Sequence, residues 1–286
     1  MILAPLRGVT IRCFRETFAD VIRDAGFTEA ITPFIPAISG FNPLKDRELS
    51  PPLSTSTSFL HLTPQFIGKD PVALRTCLEK VKDAGFDTAD LNCGCPFPMV
   101  RNKGRGSGLL RTPDVLRRIL EVGCETMGEG KFSVKARLGV DRPDELLKLM
   151  PLINEFPLRF LIVHARTARQ MYTGIVDAGG LEDVWKIAKV PIVINGDIPF
   201  PVPCSLFPNP SRLMIGRSFV RYLGTREDSG ELLARYIEAS KVELCGDRPV
   251  LGRMKELLSY WKDLPRWKRR WPVLKLARSL DELQIW

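Results

Sequence analysis

Two thiols one residue apart, Cys93 and Cys95, lie in the stretch LNCGCPFPMVRNKGRGSGLL at residues 91–110. Asn92 precedes Cys93, Pro96 follows Cys95, and a loop with Arg101, Lys103 and Arg105 comes next. Structural zinc needs four ligands, usually as two pairs, and Cys13, Cys77, Cys124, Cys204 and Cys245 form no second pair. A disulfide between Cys93 and Cys95 would be strained. What remains is a solvent-reachable thiol acting as acid or nucleophile, and the basic loop beside it suits an anionic substrate. Other polar residues fall at or near the ends of apolar runs: Gln65, Lys135 with Arg137, His164 with Arg166, Asn195-Gly196-Asp197, and Gly216-Arg217. A buried amine is rarely tolerated without a partner, so Lys135 in SVKARLGV is a functional candidate. His164 beside Arg166 is another. Asn-Gly-Asp alone is a common turn. Gly-Arg after an apolar run suits phosphate, because glycine lets the backbone approach and a guanidinium binds two oxygens. His61 is read as structural.

The elements that must position these residues are short apolar runs with helical stretches between them. The strand candidates are Ile2–Pro5, Ala30–Ile35, Leu62–Gly68, Thr88–Cys93, Ser133–Leu138, Phe160–His164, Pro191–Asn195 and Leu213–Gly216. Ile11–Ala25, Pro71–Ala84, Pro113–Val122 and Asp144–Phe156 carry apolar residues at helical spacing. Pro71 after Asp70 and Pro113 after Thr112 look like first-turn prolines behind N-caps. Near-continuous apolar strands alternating with helices predict a parallel sheet buried on both faces. Eight such units predict a (β/α)8 TIM barrel of the α/β class, with an open doubly wound sheet as the alternative. In a barrel the polar residues above sit at the C-terminal strand ends, where active sites lie. Residues 36–58 are read mainly as loop, and PFPVPCSLFPNP at residues 199–210 as an irregular connection. After Ser218 no strand follows. Glu231–Glu243, Pro249–Lys262 and Trp271–Leu283 are expected as helices, with Leu251, Met254, Leu257, Leu258 and Trp261 on one apolar face. Residues 1–225 are thus expected as the barrel and 226–286 as a small helical domain.

The chain has 286 residues and a formal net charge of +9. From Lys241 to Trp286 there are 11 Lys/Arg against 6 Asp/Glu, so more than half the excess lies in the tail. A polyanionic partner fits that balance. MILAPLR lacks the basic region of a signal peptide, and no apolar run reaches the roughly 20 residues of a membrane helix. A cytoplasmic protein with reduced thiols, no membrane contact and no metal is expected, a monomer by default.

In order along the chain, LAPLRGVT, TPQFIG, LNCGCPFPMVRNKGRGSGLL, SVKARLG, VHARTARQMYTG, INGDI and MIGR resemble the tRNA-dihydrouridine synthases. The resemblance implies a flavin-binding barrel followed by a helical tRNA-binding domain, with FMN as cofactor and NADPH as the usual electron donor. It implies reduction of the C5–C6 double bond of a tRNA uridine, with hydride from flavin to C6 and a proton to C5. Carried over, Pro5, Leu6 and Arg7 would line the flavin. Gln65 and Lys135 would meet its ring, with His164 close by, and Asn195, Gly196, Asp197, Gly216 and Arg217 would hold the ribityl and phosphate end. Asn92 would contact the target base, and Arg166 and Tyr172 would meet tRNA from the barrel. Cys95, not Cys93, matches the catalytic cysteine.

Within the family the tail is most like the bacterial C-type enzymes, which act on position 16 of the D-loop. Their Arg-x-Lys-x4-Tyr corresponds here to Arg253, Lys255 and Tyr260, and Arg278 matches a further tRNA-contacting arginine. Arg253 and Lys255 are expected to straddle the apolar stripe and touch phosphates. Ile11 stands where an aspartate is usual, Pro33 where a glutamate is common, and Pro36 where the C-type group tends to have arginine. Two other functions would use the same fold. One is a flavin oxidoreductase acting on a free small molecule, against which the basic tail argues. The other is a non-catalytic tRNA-binding protein, against which Cys95 and Lys135 argue.

Overall fold

In the computed structural model, residues 1–50, 55–203, 205, 209 and 212–283 are described. Every strand pairing among them is parallel. The strands are β1 (Ile2–Leu3), β2 (Glu29–Ile31), β3 (Ile35–Pro36), β4 (His61–Thr63), β5 (Gln65–Ile67), β6 (Ala89–Cys93), β7 (Phe132–Gly139), β8 (Leu161–Thr167), β9 (Ile192–Asn195) and β10 (Leu213–Ile215). The order β3-β5-β6-β7-β8-β9-β10-β1-β2-β4 looks open at both ends. It is closed in the chain, because β2 and β3 are two halves of one barrel strand, and so are β4 and β5. β2 pairs with β4 and β3 with β5, so eight strands meet in a ring. The open-sheet alternative is thereby excluded.

The two breaks have a chemical cause. Pro64 has no N–H to give a ladder and separates β4 from β5. Opposite it, Thr32 N–H reaches Thr63 O at 3.0 Å, and Thr32 Oγ1 accepts from Gln65 N at 3.0 Å. A hydroxyl therefore carries the ladder across the gap.

Alternation along the strands sorts side chains between lumen and outer shell. Leu91, Cys93, Val134, Ala136, Leu161 and Val163 face the helix layer and join its hydrophobic cluster. Ile2, Ile31, Phe160, Ile162, Val193 and Met214 form a separate apolar cluster; in β8, Ile162 alternates with the outward Leu161 and Val163, which places this cluster in the lumen. Asp90, Ser133 and Gln65 are also fully buried on the inward side.

Helix Pro71–Asp83 begins as the sequence predicts, with Asp70 Oδ1 accepting from Val72 N at 3.0 Å and Pro71 in the first turn. The helix after Thr112 runs on to Met127, although the Thr112 side chain makes no cap bond. The single helix expected over Ile11–Ala25 is two, Arg12–Thr17 and Ala19–Asp24, broken at Phe18. The helix expected over Trp271–Leu283 shrinks to Trp271–Leu274, with a 3-10 turn at Asp281–Leu283. The connection at residues 199–210 lies partly outside the described residues.

The tail is helical, with Ser229–Glu243 and Asp247–Ser259 as its long elements. Its apolar face, Leu251, Met254, Leu257, Leu258 and Trp261, is buried in one cluster with Phe14, Phe18 and Leu223 of the barrel helices. Trp261 Nε1 donates to Val220 O at 2.7 Å and Trp267 Nε1 to Gly224 O at 3.0 Å. A Cβ on Gly224 would stand 2.4 Å from Trp261 Cγ, so a side chain there would push the tail off the barrel. Among the described residues no helix is long and apolar enough to cross a membrane.

Candidate active site

The loops that follow the barrel strands enclose a cavity of about 880 Å³, within the range of small-ligand sites. Its apolar wall comes from Ala4, Pro5 and Leu6 after β1 and from Met214 and Ile215 of β10. Arg217, Ser218 and Arg221 line it from the helix Arg217–Leu223, which follows β10 directly. Lys135, His164 and Asn195 reach it from three neighbouring strands, Cys95 from the loop after β6, and Arg7 from the loop after β1. Tyr172, Gly196, Asp197, Gly216 and Tyr260 also line it. Two arginines at the start of a helix together with an apolar wall suit a phosphate attached to a flat ring system, so the residues present fit flavin mononucleotide.

Lys135 Nζ donates to Asn195 Oδ1 at 2.9 Å, and Asn195 Nδ2 donates to Met214 O at 2.8 Å. Burial brings the Lys135 amine down to about 7, and the Arg137 charge adds to the effect. His164 is neutral: burial drives its pKa far below the usual histidine range, and Lys135, Arg137, Arg166 and Arg217 reinforce the shift. Its Nε2 lies 3.3 Å from Arg166 Nη1 and can only accept there, which assigns the ring proton to Nδ1. A Cβ on Gly196 would come within 2.6 Å of His164 Cδ2, so that turn needs glycine.

The two thiols are separated by strand alternation. Cys93 is fully buried in the outer shell, and burial pushes its pKa far up. Cys95 stands past the strand end and lines the cavity. Burial raises its pKa too, against the lowering effects of a backbone hydrogen bond at Phe97 and the charges of Arg137 and Arg7. The loop is clamped behind it: Ser107 N and Oγ donate to Cys95 O at 3.2 and 2.9 Å. Gly106, at φ +57°, leaves no room for a Cβ, which would sit 2.8 Å from that of Cys95.

Three expected ligand contacts stand behind the wall instead. Gln65 is fully buried, with Nε2 donating to Asp90 at 2.7 Å and Oε1 accepting from Asn92 Nδ2 at 2.8 Å. Asn92 Oδ1 in turn accepts from Gly94 N at 3.1 Å and Cys95 N at 2.8 Å. Arg166, expected on tRNA, is buried because acceptors surround it: Gly174 O at 2.6 Å, Thr173 O, and the Asp197 carboxylate. It fixes the loop that carries Tyr172. Asp197 also pairs with Arg217 at 2.5 Å. Burial works against that carboxylate, yet the two arginines hold its pKa below the usual range.

In the tail, Arg253 and Lys255, which the sequence suggests as phosphate contacts, are half-buried and have protein partners. Arg253 Nη1 pairs with Glu243 at 2.7 Å and donates to Ser240 Oγ at 3.2 Å. Lys255 Nζ donates to the Ala277 carbonyl and holds the C-terminal segment. Both face protein acceptors on neighbouring elements. Arg278 is exposed away from the cavity.

Arg137, which the sequence reading names beside Lys135 without giving it a role, lines the cavity from the same strand face two residues on. Its Nε donates to Gly94 O at 2.8 Å and Nη1 to Thr167 O at 2.9 Å, and its guanidinium carbon lies 5.3 Å from the Tyr172 ring centre. Glu256, which the sequence reading passed over, comes from the tail helix to line the cavity, over Gly8, where a Cβ would meet its carboxylate at 2.5 Å.

A family model described as "Dihydrouridine synthase (Dus)" matches residues 2–205. The tRNA-dihydrouridine(16) synthase of Shigella flexneri is 27% identical over 284 residues, covering 91% of this chain and 88% of its own. The tRNA-dihydrouridine synthase B of Proteus vulgaris is 29% identical over 246 residues, covering 82% and 73%. Among solved structures, the old yellow enzyme homologue from Zymomonas mobilis superposes with a TM-score of 0.54 at 14% identity, over 77% of this chain and 85% of that one. Morphinone reductase gives 0.53 at 11% identity, over 77% and 82%. The last two likenesses concern the barrel fold.

Proposed function

This chain belongs to the dihydrouridine synthase family, and from that premise we propose that it reduces a tRNA uridine to 5,6-dihydrouridine with FMN and NADPH. We place the uridine at position 16 of the D-loop, where the name of the Shigella relative places its own substrate. The working compartment is that of tRNA itself, the cytoplasm.

Pro5, Leu6, Arg7, Lys135, Asn195, Gly196, Asp197, Gly216 and Arg217 would hold the flavin, with Arg217 on its phosphate. Bound flavin would supply the hydride that uracil accepts at C6. Cys95 supplies the proton for C5. A general acid must be protonated at working pH, and the raised pKa of its thiol meets that need. The thiolate left behind is stabilised by Arg137 and Arg7, and regains its proton from solvent after release. Lys135, in its protonated form, stabilises negative charge that develops on the ring oxygens. The uridine must leave its stacked context to enter the cavity. Tyr172 and Tyr260 at its rim, and the basic surface of residues 226–286, are the proposed tRNA contacts.

The observation that carries this reading is that Cys95 and Lys135 line one flavin-sized cavity of a Dus-family barrel. The test is dihydrouridine mapping in tRNA from a strain lacking its own enzymes, complemented by wild type, Cys95→Ala or Cys93→Ala. Wild type should restore position 16. Cys95→Ala should bind flavin and accept electrons from NADPH yet lose most product, and Cys93→Ala should be far milder. Equal loss from both, or restoration elsewhere, would refute the assignment of the acid or of the position.

A further inference from the structure

Cys95 is tied into the barrel through a line of side chains that the proposed chemistry does not use. Ser133 Oγ donates to Asp90 Oδ1 at 2.6 Å, and Gln65 Nε2 donates to Asp90 Oδ2 at 2.7 Å. Gln65 Oε1 accepts from Asn92 Nδ2 at 2.8 Å, and Asn92 Oδ1 accepts from Cys95 N at 2.8 Å. Asp90, Gln65 and Ser133 are wholly excluded from solvent, so water cannot substitute for a missing partner.

An amide can present oxygen or nitrogen to a neighbour, but a carboxylate can only accept. The Asp90 carboxylate therefore decides which end of Gln65 faces it. That leaves Gln65 Oε1 toward Asn92, which must answer with Nδ2. Asn92 is then left with Oδ1 toward the loop, where the N–H groups of Gly94 and Cys95 need an acceptor. If the first amide turned round, the last would present N–H to N–H. We propose that Asp90 is a positioning residue whose acceptor-only chemistry sets the direction of the Gln65 and Asn92 amides and so anchors the Cys95 loop.

Charge could offer a second route. Asn92 is the register partner of Lys135, and Asp90 of Ser133, on adjacent strands. Asp90 and Lys135 therefore share the lumen, with Arg159 and Cys93 the other titratable groups acting on or beside the carboxylate. The two routes separate by experiment.

The proposal rests on Cys95 being the proton donor, but its main test needs neither tRNA nor flavin. The probe is the rate of Cys95 alkylation by iodoacetamide at fixed pH, resolved by peptide mass spectrometry. Asp90→Asn keeps the size and allows either amide direction. It should speed Cys95 alkylation by about tenfold, on the order of one buried hydrogen bond, and lower kcat with little change in KM. Gln65→Met cuts the line while leaving Asp90 and Lys135 in place, and should give the same acceleration. It also serves if Asp90→Asn does not fold. The double variant Asp90→Asn/Gln65→Glu restores an acceptor one step along and should slow alkylation back toward wild type. Unchanged alkylation in Asp90→Asn, wild-type behaviour of Gln65→Met, or no recovery in the double variant would overturn the relay. A wild type that alkylates slowly but makes no dihydrouridine would instead refute the proposed function.

Discussion

Replacing Lys135 with methionine should relieve a penalty that the barrel carries for function. The amine has an ordinary pKa of 10.5 and stands at about 7 in the folded chain, mainly because it is buried. Between those values the unfolded chain binds a proton that the folded chain does not. Stability of the wild type therefore rises with pH across that window. Linkage puts the penalty at about 4 kcal/mol at pH 7 and about 2 kcal/mol at pH 9. The substitution also leaves Asn195 Oδ1 without its donor, at about 1–3 kcal/mol, and takes a cation from Asp90. Asp90 titrates at about 6 and is ionised throughout, but the amine at about 7 is neutral over most of the window, so this second loss is confined to its lower end and already enters the shifted value. The slope is thus cleaner than the offset. The advantage of Lys135→Met over wild type should shrink by about 2 kcal/mol from pH 7 to pH 9. Urea unfolding of both proteins, stripped of flavin and followed by tryptophan fluorescence, measures this, since Trp261 and Trp267 are buried. A stability difference that is flat over those two pH units would show that the amine is not held near neutrality by burial. The variant should also lose base reduction when loaded with flavin.

Arg217→Ala should weaken flavin retention by about tenfold or more, because it removes a guanidinium that lines the cavity; equilibrium dialysis of FMN measures this, and unchanged affinity would place the phosphate elsewhere. Arg253→Ala should first destabilise the tail, by about 1–3 kcal/mol, because Glu243 loses a close buried partner and keeps Arg12 at 3.5 Å. An unchanged urea midpoint with weakened tRNA binding would restore Arg253 to the phosphate contact that its sequence position suggests.

Strand positions were legible because parallel strands buried on both faces leave continuous apolar runs. A proline marks each of the two breaks openly, Pro64 between β4 and β5 and Pro33 between β2 and β3. What hides is that Thr32 Oγ1 replaces a ladder acceptor there. Helix Ala178–Ile187 escaped notice because Gly179 and Gly180 dilute its first turn, although Asp177 caps it by accepting from Gly180 N at 2.8 Å. The strand-end rule gathered Lys135, His164, Asn195 and Arg217, since it depends only on counting strands. Asp90 was passed over as a strand residue, because its partners lie on other strands. The partners of Arg253 and Lys255 hide for the same reason: a helix wheel gives the direction of these side chains, but not that Glu243 and the Ala277 carbonyl lie in it.

The residues alone left open whether the thiol beside the basic loop is an acid or a nucleophile, and the electrostatics of the cavity favour the acid. A nucleophilic cysteine needs its thiolate near neutral pH, which calls for cations with little burial. Around Cys95 the cations are present: Arg7 and Arg137 both pull its pKa down. Burial acts the other way and prevails. Two carboxylates line the cavity: Asp197 is committed to Arg166 and Arg217, and Glu256 stands over Gly8, and among the described residues neither is hydrogen-bonded to the Cys95 thiol. His164, the only imidazole lining the cavity, uses Nε2 on Arg166 and resists protonation. With no base hydrogen-bonded to it and a raised pKa, the Cys95 thiol would, in the proposed reaction, keep its proton until a substrate atom basic enough to take it arrives. Arg137 and Arg7 would then serve the step after transfer, when the thiolate is the charged species to be stabilised.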